Sequence, residues 1–288
     1  MAQREIDSLE AHIRVARELF KDGLITRNDV LQAEVRLADA NQKLLNAGNM
    51  RKIQAATMNN MLTRPLSLPI EVAEPQRARS VRPGGEEAAA VAEKERPELQ
   101  VVDATVKALQ LEETDRQSEY LPQFFAQGQY DYTKNKYVTY EGNAGITFLM
   151  KLNLFNGWST NAEIQKLQSA RSRLIIERKR LSEEIGLELQ RDYLEMENAK
   201  DRVTVAERAI LQAEENLRIT RLKYLEGVGI ATDVTDAIAL RTLSETNYHR
   251  ALYDWYRSEA RYLYAMGLNL EEEYGGRQGE RGGPGASK

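Results

Sequence analysis

The stretch GITFLMKLNLFNGWS, residues 145–159, is dense enough in Ile, Phe, Met and Leu to be a core strand, part of a buried helix, or a strand facing lipid. Its alternation separates these. Ile146, Phe148, Met150, Leu152 and Leu154 alternate with Thr147, Lys151 and Asn153; upstream, Ala126, Gly128, Tyr130 and Tyr132 alternate with Gln127, Gln129 and Asp131. A period of two means strands. Two strands of about ten residues, the length that crosses a bilayer when tilted, are predicted within 124–155, joined by the polar stretch KNKYVTYEGN at 134–143. One face is apolar throughout and the other mostly wettable, as a barrel with lipid outside and water inside requires. The even-numbered side chains Tyr130, Tyr132, Ile146, Phe148, Met150, Leu152 and Leu154 are therefore expected to face acyl chains, and the odd-numbered ones solvent. Tyr137 and Tyr140 near the loop, with Phe155 and Trp158 at the opposite end, fit aromatic girdles. A soluble hairpin packed on protein is the alternative, but an isolated two-stranded hairpin between very long helices has no evident core to lie on.

On either side the period changes. Ala199, Val203, Ala206, Ile210, Ala213 and Leu217 recur at steps of four and three, a heptad seam inside a helix expected over 159–224. At 1.5 Å per residue that helix is on the order of 90 Å long. Its small-large alternation favours close side-by-side packing over a broad core. Ala33, Leu37, Ala40, Leu44 and Ala47 repeat the alternation in a helix over about 28–62. Between them, 64–75 reads as extended, 76–99 as a flexible surface connection, and a helix starts at Pro97 and runs to YLPQ at 120–123. From Glu271 the tail is expected to be disordered.

The chain also contains one device twice. FKDGLITRNDVLQA (20–33) and YLEGVGIATDVTDA (224–237) align without a gap at an offset of 204 residues. Each reads as a sharp turn between helices, with Gly23 or Gly227 as a left-handed C-cap and Asn28 or Thr232 as the next N-cap. Asp29 and Asp233 fall in the first turn, where the helix dipole favours a carboxylate. Asp236 lies one turn beyond Asp233 on the same face, so the second copy presents two like charges where a cap needs one.

Composition limits the function classes. Charged residues make up 29%, the net charge is −4 with both signs interleaved, and there is no cysteine. This leaves no basic patch for nucleic acid, no disulfide and no thiolate metal site. No cofactor or metal is expected. His12 and His249 lie in helical stretches without a nearby nucleophile or ligand set and are expected at the surface, and no catalytic motif is present. The N-terminus MAQREIDSLE is charged where a secretory signal has an apolar segment.

In order and spacing, RPELQ, YLPQFFAQGQYDYT, LNLFNGWSTNAEI and the Gly-x-x-x-x-Thr-Asp-Val turn resemble the second repeat of the TolC-like outer-membrane efflux protein family. DGLITRNDVLQAEVRLADA through LTRPLSLPIEV resembles the tip and returning helix of its first repeat. The organisation is then a partial first repeat (1–75), a linker (76–96), a second repeat (97–270) and a tail (271–288). The resemblance implies a mainly α fold of very long antiparallel coiled-coil helices, with a hairpin contributed to a trimeric transmembrane β-barrel. It implies a homotrimeric exit duct for efflux or type I secretion, set in outer-membrane lipid with a periplasmic extension, and coupled to an inner-membrane pump through a periplasmic adaptor. By that resemblance Asp233 and Asp236 match paired constriction aspartates, and Asp29 and Tyr224 a carboxylate and tyrosine that hold neighbouring tips shut. Gly23, Leu24 and Ile25, with Gly227, Val228 and Gly229, match loops that meet the adaptor. An arginine that assists the latch in some members falls at Gly229. The offset places Met1 opposite Val205, so the first repeat's hairpin, most of its long helix and a signal peptide are expected to be missing. Three such chains are not expected to conduct, because even eight strands fill their own interior. The rival readings are a soluble coiled-coil scaffold or the adaptor itself; an adaptor would carry a lipoyl-like β module, which the sequence lacks.

Overall fold

In the computed structural model the residues described are 1–72, 83–134, 136, 137, 139 and 142–275. They form seven helices, α1 (Ala2–Lys21), α2 (Arg27–Met61), α3 (Gly85–Glu95), α4 (Pro97–Ser118), α5 (Ser159–Leu225), α6 (Ala231–Ala265) and α7 (Leu270–Gly275), and two strands, β1 (Gln123–Tyr132) and β2 (Gly142–Lys151). The chain divides into two compact units: Met1–Arg82 with Gln190–Tyr264 and Asn269–Lys288, and Pro83–Leu189 with Ala265–Leu268.

In the first unit, α1, α2, the C-terminal part of α5 and most of α6 share a narrow core of Ile6, Leu9, Ala40, Leu217, Tyr224, Val234 and Ile238. The heptad seam explains why the core is narrow. Buried or half-buried positions on α5 run through Met196, Ala199, Val203, Ala206, Ile210, Ala213, Leu217 and Tyr224, the steps of four and three that the sequence shows. On α2 the seam fades after Leu44, and Ala47 is exposed.

The second unit is an antiparallel pair, α4 against the first part of α5, bound by polar contacts at matched depths. Arg178 Nε bonds Asp103 at 2.5 Å, Gln168 Nε2 bonds Glu113 at 2.7 Å, and Arg116 Nε meets Glu163 at 3.2 Å. As positions rise on α4 they fall on α5, which is what an antiparallel pair requires. The pair presents the hairpin at one end. There Asn156 Nδ2 donates to Thr160 Oγ1 at 2.5 Å, and Thr160 Oγ1 to Glu119 Oε2 at 3.0 Å, tying the chain before β1 to the chain after β2.

Several expectations are corrected. The stretch 76–99 contains α3, because the helix formers Glu86, Glu87, Ala88, Ala89 and Ala90 follow directly on the Pro-Gly-Gly punctuation; residues 76–82 lie outside those described. The tail begins with α7, capped by Asn269 Oδ1 accepting from the Glu271 N–H at 3.0 Å, with glutamates in its first turn; 276–288 are outside the described residues. Strand β2 starts and stops earlier than the alternation suggests, so Leu152 and Leu154 follow it. Its last residue, Lys151, pairs with Gln123, and Pro122 beyond has no N–H with which to extend the ladder.

Candidate functional site

Both tips close by the same backbone geometry. In the first, Gly23 (φ +74°) donates to Phe20 O at 3.0 Å and Leu24 to Leu19 O at 2.9 Å. In the second, Gly227 (φ +76°) donates to Tyr224 O at 3.2 Å and Val228 to Lys223 O at 3.0 Å. These are Schellman closures, which need a residue tolerant of positive φ at the glycine. The residue after each glycine is a bare aliphatic: Leu24 is 70% exposed and Val228 76%.

The starts of the returning helices differ. Thr26, not Asn28, caps α2, and Asp29 is consumed in a capping box: its carboxylate accepts from the Thr26 N–H at 3.0 Å and the Thr26 hydroxyl at 2.8 Å. Asn28 and Thr232 both sit inside their helices. At the second tip Ile230 occupies the place of Thr26 and has no polar atom to offer. Asp233 therefore has no hydrogen-bond or ion-pair partner among the described residues, and it is exposed. Asp236 meets Arg36 of α2 at 3.3 Å. No local pattern could have pointed to Arg36, 200 positions away. Gly229 replaces the core-packed Ile25 of the first copy; a Cβ there would stand 3.0 Å from Tyr224 N.

Tyr224 is 4% exposed and lies in the core of the first unit, its hydroxyl without a hydrogen-bond partner among the described residues. Burial raises its pKa, and the nearby Asp29 charge adds to the effect. Its ring centroid is 5.0 Å from that of His12. His12 is thus buried rather than at the surface; His249 is exposed. The steps Glu5, Leu9, His12, Ala16 carry the signal, because they put His12 on the buried stripe of α1. Burial first, then the Arg221 charge, lower its pKa from 6.5 to about 4, with the Ala231 backbone pulling the other way.

In the strand pair, Phe124 faces Met150, Ala126 faces Phe148, Gly128 faces Ile146, Tyr130 faces Ala144 and Tyr132 faces Gly142. Even numbers pair only with even numbers, so the apolar sets of both strands share one face; Phe148 on it is 82% exposed. The other face carries Gln127 with Thr147 and Asp131 with Asn143, and one apolar pair, Phe125 with Leu149. Past β2, Phe155 and Trp158 are both exposed and meet edge to face at 6.3 Å, with Trp158 at φ +66°. Tyr137 is exposed; Tyr140 lies outside the described residues. Among the described residues no helix is long and apolar enough to cross a membrane, and no His, Asp and Glu group could hold a metal ion.

The pattern described by the family model "Outer membrane efflux protein" matches residues 89–268. The chain belongs to the outer membrane efflux protein family. Among curated proteins no sequence matches it. Solved channels share the family fold at low identity. The outer-membrane channel OprN superposes with a TM-score of 0.72 at 13% identity, over 94% of this chain and 62% of its own. CusC gives 0.73 at 12%, over 93% and 63%. The open state of the Neisseria gonorrhoeae outer membrane channel MtrE gives 0.71 at 15%, over 95% and 64%. This outer membrane efflux protein chain thus spans about three fifths of the length of the channels it resembles.

Proposed function

We propose that the chain is a protomer of an outer-membrane exit duct, a passive conduit serving a tripartite efflux or type I secretion system. In such a duct three protomers combine strands into a barrel in outer-membrane lipid and helices into a periplasmic tunnel, which meets an inner-membrane pump through a periplasmic adaptor; three chains with only the one described hairpin each are not expected to conduct by themselves. The observation that carries this reading is the even-with-even strand register. A slip of one residue would set the apolar side chains of one strand beside the polar ones of the other and leave no lipid-compatible face.

At the tips, Asp233 and Asp236 constrict the narrow end, and Asp29 and Tyr224 help hold neighbouring tips shut. The loops at Gly23–Leu24–Ile25 and Gly227–Val228–Gly229 contact the adaptor. The exposed Leu24 and Val228, at equivalent places, support an apolar docking role, and the free carboxylate of Asp233 supports a role beyond helix capping. The chemistry is conduction gated by tip opening, with carboxylates favouring cations. Spin labels placed singly along 143–151 in a reconstituted assembly test the barrel reading. Oxygen accessibility should peak at even positions and that of a water-soluble nickel chelate at odd ones; a flat profile of both refutes it.

A further inference from the structure

The two tips are repeats, so each position in one has a counterpart in the other. In the first copy the α1 stripe His12, Ala16, Leu19 points inward: His12 and Ala16 are buried and Leu19 packs on the core. The counterparts at the offset of 204 residues are Asn216, Thr220 and Lys223 of α5. These line an open cleft of about 420 Å³ that also takes in Asp233 and Asp236 of α6. Asp236 stands where the first copy has Gln32, and Lys223 where it has Leu19. Relative to the first copy, the second has turned an apolar packing stripe into a polar cleft lining and added one anion and one cation to it. Lys223 has no hydrogen bond or ion pair from its ammonium among the described residues, and its side chain is exposed. Arg36 already engages Asp236 from α2, so the charge left open to solvent in the cleft is chiefly that of Asp233 and the Lys223 ammonium.

We propose that Lys223 is a selectivity-determining residue of the tip cleft: its ammonium offsets the carboxylates beside it and weakens the cleft's hold on multivalent cations. A lysine suits this role because its charge rides on a flexible stem and is not committed to one bidentate partner. Cationic cargo is attracted to such a cleft without being trapped in it. The proposal rests on the reading of Asp233 and Asp236 as the constriction carboxylates.

The test is Mn²⁺ titration of the full chain at low ionic strength. Free Mn²⁺ is read by electron paramagnetic resonance, and the site is located by broadening of tip amide signals. Lys223→Gln should tighten Mn²⁺ binding about three- to sixfold, the effect of removing one unit charge beside a divalent ion in water-like surroundings. Lys223→Arg, which keeps the positive charge, should not tighten it, and Asp233→Asn with Asp236→Asn should weaken it in every background. If Lys223→Gln leaves an aspartate-dependent affinity unaltered, the role of Lys223 is overturned while the carboxylate reading stands. Mn²⁺ binding indifferent to both aspartate substitutions overturns the two together.

Discussion

Acidification should loosen the tip end of the four-helix core, and His12 is the reason. Its pKa falls from 6.5 in the unfolded chain to about 4 in the fold, because the ring is buried against Tyr224 and faces the Arg221 charge. As pH drops, the unfolded chain takes up the proton first. The stability held by neutral His12 is complete above about pH 6.5, declines down to about pH 4, and changes no further below. Between pH 7 and pH 5 the loss from this group is about 2 kcal/mol, at 1.36 kcal/mol per pKa unit. Urea unfolding in mild detergent at the two pH values, for the native chain and for His12→Leu, isolates that share, since the carboxylates titrate in both. The native chain should lose about 2 kcal/mol more than the variant. Equal losses, within roughly 0.5 kcal/mol, would refute the burial argument.

Other consequences can be checked with single substitutions. Thr26→Ala removes the capping box and should destabilise α2 by about 1 kcal/mol in thermal unfolding, whereas Ile230→Thr should stabilise α6 by completing a second box with Asp233. Gly267→Ala should cost about 1–3 kcal/mol by the same measurement, because φ there is +82° and a Cβ would stand 2.8 Å from the Glu95 carbonyl carbon. Phe148→Lys should cost about 2–4 kcal/mol in folding into bilayers, and Thr147→Lys, on the opposite face, far less.

The strand pair and the long seam were legible because both are periodic, and a period survives without knowledge of partners. Even the facing of the strands could be anticipated, since each face is written in alternate letters. Cap positions were not: Thr26 and Asn28 are both good caps two residues apart, and only the Asp29 contact decides between them. The burial of His12 was written in the steps of α1 but masked by the charged residues around it. The Arg36 pairing with Asp236 and the Lys223 cleft depend on how four helices meet, which no local pattern encodes.

The seam of α5 sets alanine and bulkier residues in turn along its buried edge, from Ala199 through Val203, Ala206, Ile210 and Ala213 to Leu217. Such an edge behaves as a toothed rack. A slide of half a heptad, about 5 Å, would drive tooth against tooth and empty every notch. The helices are thereby denied axial travel yet left free to pivot about the rack, so any widening at their ends must be a fanning apart and not a telescoping.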